Sequence, residues 1–156
     1  KSAKDVEGYD ADNQAMIAWI KKQPWFAGSI GAMGFCIGGH LAFRAALQPE
    51  IEATACFYAT DLHTHVIPNK PNQHSMDRLK DIKGELLMIW GKQDNHIPEQ
   101  GRKAVYEKML DAKLVFTWHE FNGQHAFMRD EGERYDPELA LLGYDLALKL
   151  FQRKLA

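Results

Sequence analysis

The chain has 156 residues, of which 46% are hydrophobic and 26% are charged, and this composition excludes disordered, collagen-like and coiled-coil proteins. With 19 Lys and Arg against 21 Asp and Glu, the formal net charge is −2, which gives no basic surface for a nucleic-acid partner. The longest apolar run, residues 85–90, is too short to span a membrane, and two cysteines fit a cytoplasmic protein. We expect one domain over residues 1–156 and no association with a membrane.

Strand and helix patterns alternate along the chain. The hydrophobic runs predict buried strands over residues 29–35, 52–59, 85–90 and 114–121. Helical spacing predicts helices over residues 12–22, 38–47 and 98–110, and a last helix whose apolar stripe is Leu139, Leu142, Leu146 and Leu150. Residues 60–73 and 122–137 are predicted loops. Apolar strands between amphipathic helices favour an α/β fold: a three-layer parallel sheet with helices on both faces.

The first predicted helix also has a predicted face and start. Its apolar residues Met16, Trp19 and Ile20 are spaced to lie on one side of a helix. Asp10 or Asp12 is expected to cap its first turn.

In a parallel sheet, ligands bind at the carboxyl ends of the strands, so the residues after each strand matter most. The first strand is followed by Gly34-Phe35-Cys36-Ile37-Gly38-Gly39, a G-x-S-x-G nucleophile elbow in which Cys replaces Ser. The glycines avoid clashes in a strained strand-to-helix turn, and the helix N-terminus favours a thiolate at Cys36. The N–H of Ile37 is placed to donate to a developing oxyanion. The alternative is a buried structural cysteine beside a glycine-rich turn.

Two further loops carry groups that complete a catalytic set. Asp94 follows the third strand, where a carboxylate can orient a histidine, although it can also cap the next helix. His125 follows the fourth strand and can act as the base, although it can also be a surface histidine. Asp61 after the second strand is a weaker candidate for the acid, and His96 is the second choice for the histidine.

The chain order Cys36, Asp94, His125 is the order nucleophile, acid, histidine found in α/β-hydrolases. The sequence resembles the dienelactone hydrolase family of that fold. Three segments carry the resemblance: the elbow at residues 34–39, Trp90-Gly91-Lys92-Gln93-Asp94 with Ile97-Pro98, and Gly123-Gln124-His125-Ala126-Phe127.

The resemblance implies an α/β-hydrolase-type sheet and hydrolysis of small ester or lactone substrates through a Cys36–His125–Asp94 triad, with no cofactor. It also implies that Arg129, four residues after the histidine, binds a substrate carboxylate, for which the alternative is a solvated loop arginine. Phe35 and Tyr58 are expected to form part of an apolar pocket wall.

Only one predicted helix precedes the nucleophile strand, and the chain does not begin with Met. We therefore expect the N-terminal strands of the family's sheet to be absent from this chain. A further N-terminal segment or a second chain is expected to complete the sheet and to supply a second oxyanion donor.

The main functional prediction is a Cys-dependent carboxylic ester hydrolase. One alternative is a Cys-based hydrolase of phosphoesters or thioesters. Another is a non-catalytic α/β module, or a redox-responsive one in which Cys36 is oxidised rather than acylated. No metal site is predicted: the spacing of His63, His65 and His74 is a weak ligand pattern, and these histidines are expected to line the cleft. Cys56 is expected in the core, and His40 is expected to pack or hydrogen-bond locally.

Overall fold

The computed structural model describes residues 6–65 and 73–156. Residues 66–72 of the predicted loop 60–73 lie outside the described residues. The elements in chain order are α1 (Val6–Ile20), β1 (Ile30–Phe35), α2 (Ile37–Ala45), β2 (Ile51–Phe57), β3 (Glu85–Gly91), α3 (Glu99–Asp111), β4 (Phe116–Phe121) and α4 (Pro137–Leu155), with two single-turn 3-10 helices between β2 and β3. Within the described ranges, no helix has the length and apolarity needed to cross a membrane.

The four strands form one parallel sheet in the order β1-β2-β3-β4. The pairing runs to the carboxyl ends: Phe35 lies beside Phe57, and Phe57 lies beside Ile89. Every residue of β3 is buried, which explains its unbroken apolar sequence. The carboxyl ends of β1, β2 and β3 therefore lie side by side. β1, which leads to Cys36, is an edge strand of the described sheet.

Helices cover both faces of the sheet, as predicted. On one face, Arg153 of α4 donates two hydrogen bonds to Glu85 of β3, at 2.7 and 2.8 Å. On the other face, Arg102 of α3 donates to Glu120 of β4 at 3.3 Å. The crossovers through α2 and α3 step in the same direction across the sheet, so right-handed connections put both helices on one face. The three-layer α/β prediction is confirmed.

The predicted apolar stripe of α4 is wrong in part. Leu150 is buried, but Leu142 is 43% exposed. The residues buried with Leu150 are the small ones, Ala140, Gly143 and Ala147. A Cβ at Gly143 would lie 3.1 Å from the ring of Phe57, so the absence of a side chain lets α4 approach the sheet closely. Hydrophobicity alone cannot show that a close contact requires small residues.

The predicted start of the first helix is wrong, and its predicted face is wrong in part, since Ile20 does pack against the core. Met16 and Trp19 are 61% and 57% exposed, whereas Ile17 is buried and packs against β1 and β2. Asp10 and Asp12 lie inside α1, because the helix starts six residues earlier than predicted. Asp10 is not a cap, because its carboxylate accepts two hydrogen bonds from Arg44 of α2, both of 2.7 Å.

The two leucines of α4 give a direct test of this packing. We expect Leu150→Ala to lower the free energy of unfolding by about 2–5 kcal/mol, because it removes a buried side chain from the core. Leu142→Ala is the matched control and should change it by less than about 1 kcal/mol. Urea unfolding followed by circular dichroism measures both variants. A larger loss of stability for Leu142→Ala than for Leu150→Ala would contradict the observed orientation of α4, in which Leu150 faces the core.

Candidate active site

The backbone at Cys36 forms a sharp turn between β1 and α2. Its φ of +57° and ψ of −123° are unusual for a residue with a side chain. A Cβ at Gly34 would overlap the carbonyl group of Gly38, so the turn requires glycine at position 34. At Gly38 itself, a Cβ would meet nothing within 4 Å. The expectation that both flanking glycines relieve a clash therefore holds for Gly34 and is wrong for Gly38.

The structure brings Cys36, His125 and Asp94 together from three different loops. Nε2 of His125 lies 3.1 Å from Sγ of Cys36, and Nδ1 of His125 lies 2.7 Å from Oδ2 of Asp94. Because a carboxylate only accepts hydrogen bonds, the proton on Nδ1 is donated to Asp94, and Nε2 is left to exchange a proton with the thiol. His125 and Asp94 are 6% and 4% exposed, so water screens their interaction little.

Asp94 also shapes its own loop. Its second oxygen, Oδ1, accepts hydrogen bonds from the backbone N–H groups of His96 at 2.8 Å and Ile97 at 3.3 Å. One oxygen therefore closes the turn before α3 while the other faces His125. The expectation that Asp94 can cap the next helix is wrong, because the N-cap residue of α3 is Pro98 and no side chain caps that helix.

The weaker candidates occupy other positions. His125, not His96, contacts the thiol of Cys36, and the ring of His96 packs edge-on against His125 with 4.7 Å between centroids. Asp61 follows β2, but Nδ1 of His125 is already bonded to Asp94.

A cavity of about 570 Å³ opens beside the thiol of Cys36. The residues singled out from the sequence that line it are Phe35, Cys36, Tyr58, His96, His125 and Arg129. Those that sequence reasoning missed are Thr60, Ala126, Met128, Arg134 and Tyr144. Asp94 lies behind His125, and Ile37, the first residue of α2, is not among the lining residues.

Two arginines on one loop form the cationic side of the cavity. Arg129 and Arg134 are exposed, and within residues 6–65 and 73–156 neither makes an ion pair. The segment between them, Asp130-Glu131-Gly132-Glu133, is acidic, and the sequence analysis did not single out Arg134.

Aromatic rings also line the cavity. Phe35 stacks on Phe57 at 4.8 Å, and its ring lies 6.3 Å from that of Tyr144. Tyr58 is 2% exposed, with its ring 5.2 Å from that of His125. Burial raises the pKa of Tyr58 above its ordinary value, so its hydroxyl stays protonated.

A histidine cluster lies apart from the thiol. Ligand atoms of His65, His74 and Asp77 fall within 4.8 Å of one another. Nδ1 of His74 accepts a hydrogen bond from the N–H of Met76, which leaves the proton of the neutral ring on Nε2. The ammonium of Lys108 lies 2.9 Å from Nε2 of His65. The proton and the neighbouring cation both disfavour a metal ion, and we propose none here.

The other cysteine, Cys56, is fully buried in β2. Burial raises the pKa of its thiol far above the ordinary range, because the charged form would lose its solvation. Cys56 is therefore a core residue, as expected, and an unreactive reference for Cys36.

A strained Cys36 between a parallel strand and a helix, with a histidine and an acid on later loops, defines a domain of the α/β-hydrolase type. Comparison of the fold agrees. A "Putative Dienelactone Hydrolase" from Klebsiella pneumoniae superimposes with a TM-score of 0.80 at 23% identity, over 91% of this chain and 59% of that one. A dienelactone hydrolase-like promiscuous phosphotriesterase from metagenomic libraries gives 0.77 at 21% identity, over 96% and 63%.

The chain belongs to the dienelactone hydrolase family, whose sequence model matches residues 1–155. It is 35% identical to a Saccharomyces cerevisiae protein named "Putative carboxymethylenebutenolidase", over 99% of this chain and 59% of that protein. It is 26% identical to the carboxymethylenebutenolidase of Pseudomonas putida, over 92% of this chain and 57% of that enzyme. The chain thus spans less than two thirds of the length of these relatives.

The two elbow glycines give a matched pair of variants. Gly34→Ala puts a methyl group into the backbone of Gly38, so we expect severe destabilisation, by more than about 3 kcal/mol, or failure to fold. Gly38→Ala meets open space and should keep the melting temperature within a few degrees. Thermal unfolding of both variants decides the point. Equal melting temperatures would mean that the turn does not depend on Gly34.

Proposed function

We propose that the protein hydrolyses ester or lactone bonds through Cys36, His125 and Asp94. The observation that carries the proposal is the pair of contacts at His125, 3.1 Å to the thiol sulfur and 2.7 Å to the carboxylate, on the wall of a cavity. A thiol, a base and an orienting acid in hydrogen-bond reach are the requirements of nucleophilic acyl transfer.

The reaction runs in two half-reactions. His125 takes the proton of the Cys36 thiol through Nε2, and the thiolate adds to the substrate carbonyl carbon. When the tetrahedral intermediate collapses, the C–O bond to the leaving group breaks, and His125 returns its proton to the leaving oxygen. Water, deprotonated by His125, then adds to the thioester carbon. The C–S bond breaks, His125 returns the proton to the sulfur of Cys36, and the carboxylic acid leaves. Asp94 holds the His125 ring in the required tautomer throughout.

The developing negative charge on the carbonyl oxygen is assigned to the N-terminus of α2. As the first residue of the helix, Ile37 has no carbonyl partner for its N–H inside the helix. The dipole of α2 favours negative charge at the same place. This supports Ile37 as an oxyanion donor.

The cavity favours an acyl group that carries an apolar body and a carboxylate. Phe35, Met128 and Tyr144 provide apolar surface, whereas Arg129 and Arg134 provide two guanidinium groups with no acidic partner among the described residues. A planar guanidinium matches a carboxylate with two parallel hydrogen bonds. We therefore assign both arginines to recognition of an anionic substrate, and Arg129 keeps the role implied by the family resemblance.

Removing the thiol tests the nucleophile. In the intact protein, Cys36→Ala should lower kcat for a p-nitrophenyl ester by about 10³-fold or more, because the acyl-enzyme cannot form. Cys56→Ala removes the other, buried cysteine and should retain most of the activity. The measurement is nitrophenolate release under steady-state conditions.

The same assay separates the alternatives. Equal rates for wild type and Cys36→Ala would remove Cys36 as nucleophile and favour the binding or redox-responsive module. A lactone, a thioester and a phosphotriester complete the panel, the last because one relative in fold is described as a phosphotriesterase. Turnover of the phosphotriester alone would replace the carboxylic ester assignment.

A substrate pair tests the arginines. For a p-nitrophenyl hemiester of glutaric acid, Arg134→Gln should lower kcat/KM by about tenfold, the effect of one lost charge-assisted hydrogen bond. For the neutral p-nitrophenyl pentanoate, it should change kcat/KM by less than about twofold. Arg134→Lys should keep part of the preference, and Lys22→Gln, an exposed cation far from the cavity, serves as the control. An equal loss on both esters would rule out charge recognition.

A further inference from the structure

A chain of hydrogen bonds runs from α1 through α2 towards the elbow. It begins at Asp10, whose carboxylate accepts two 2.7 Å hydrogen bonds from Arg44. Arg44 is 2% exposed, and its Nη1 donates to the carbonyl of Gln73 at 2.9 Å and to the hydroxyl of Ser75 at 3.4 Å. The ion pair therefore holds the segment around Ser75 against α2.

Ser75 also contacts His40, and both side chains are fully buried. Nδ1 of His40 lies 2.8 Å from the carbonyl oxygen of Thr60, and since a carbonyl only accepts, Nδ1 carries the proton. Nε2 is then an acceptor, and the hydroxyl of Ser75 donates to it at 2.9 Å. The expectation that His40 packs or hydrogen-bonds locally is wrong, because its partners lie 20 and 35 residues away.

The last link reaches the elbow itself. The N–H of Thr60 donates to the carbonyl oxygen of Cys36 at 3.2 Å, and this oxygen also accepts from the N–H groups of Gly39 at 3.0 Å and His40 at 3.3 Å within the first turn of α2. Thr60 is therefore its partner from outside the helix. The N–H of Cys36 donates to the carbonyl of Phe57 at 3.0 Å. Phe57 is fixed by the pairing of β2, but Thr60 lies beyond the end of that strand and needs another anchor. His40 provides that anchor.

The elbow needs such support because its backbone is strained. A non-glycine residue in this region of φ and ψ persists only where its surroundings hold it. A small rotation of the Cys36 peptide would swing Sγ away from Nε2 of His125, now 3.1 Å distant.

We propose that His40 is a positioning residue for Cys36: its Nδ1–H fixes the peptide of Thr60, which holds the Cys36 carbonyl and thereby aims the thiol at His125. The contacts stand independently of the activity, whereas the kinetic consequence rests on the proposed function. Burial lowers the pKa of His40 to about 4, so the ring stays neutral and keeps Nε2 as an acceptor near neutral pH.

Two substitutions separate this role from a general structural one. The amide N–H₂ of Asn in His40→Asn reaches the position of Nδ1 and can keep the bond to Thr60. The longer side chain in His40→Gln reaches the position of Nε2 and keeps only the contact with Ser75. Each variant preserves one of the two hydrogen bonds, so loss of stability alone should not distinguish them.

The first readout is the rate at which iodoacetamide alkylates Cys36 in the intact protein at neutral pH, with the site identified by mass spectrometry. We expect His40→Asn to stay within about twofold of wild type and His40→Gln to be slower by about tenfold, because the thiol loses its base. His119, a half-buried histidine on β4 that does not line the cavity, supplies the control pair His119→Asn and His119→Gln. These two should alkylate at equal rates.

Equal rates for His40→Asn and His40→Gln, or a slower His40→Asn, would overturn the proposal. If neither variant folds, Ser75→Ala and Thr60→Pro replace them. Ser75→Ala leaves the bond from Nδ1 to Thr60 and should stay within about twofold of wild type, whereas Thr60→Pro removes the N–H that donates to Cys36 and should be slower. Equal rates for these two variants would overturn the proposal. The second readout is ester hydrolysis, where His40→Gln should lower kcat and leave KM nearly unchanged. If no ester is hydrolysed by wild type, the proposed function fails, but the alkylation comparison still decides the role of His40.

Discussion

The site depends first on the backbone of Cys36, which is held at a φ of +57°. Such a conformation costs on the order of 1–3 kcal/mol and survives only where neighbouring groups enforce it. Three of them do so here: Gly34 has no Cβ to collide with α2, Phe57 accepts the N–H of Cys36, and Thr60 donates to its carbonyl. The residues at and just after the end of β2 therefore contribute no reacting group to the site. They hold both the N–H and the carbonyl of Cys36.

The parallel sheet determines how the other groups reach this elbow. β1 and β4 are at opposite edges of the described sheet, so the loop after β4 has to cross the ends of β3 and β2 to bring His125 to Cys36. Gly91 makes this crossing feasible, because a Cβ there would overlap the carbonyl of Gly123. The N–H of Gln93 donates to that same carbonyl at 3.0 Å and fastens the two loops together. Oδ2 of Asp94 then contacts Nδ1 of His125, while Oδ1 accepts the N–H of His96 and closes the turn of its own loop.

The sequence predicts what local periodicity and strand ends can encode: the order of the elements, the parallel sheet, and the loops that carry Cys36, Asp94 and His125. It does not predict what depends on distant partners. The start of α1 is obscured because Asp10 pairs with Arg44, 34 residues away, instead of capping the helix. The buried face of α4 is obscured because a close contact between helix and sheet selects Gly143 over Leu142. Arg134 could not be predicted either, because its neighbours in the sequence are acidic and only the fold of its loop brings it to the cavity.

The proposed division of roles uses two different electrostatic environments. His125 and Asp94 are 6% and 4% exposed and are already bonded to each other, so their orientation costs nothing further when substrate arrives. Arg129 and Arg134 are exposed. Salt screens exposed charges far more than buried pairs. The proposed recognition of an anion by the arginines should therefore vary with ionic strength, whereas the proposed activation of the Cys36 thiol by His125 should vary less. In a cavity of this kind, substitution of the exposed arginines should alter the substrate preference without disturbing the contacts of His125.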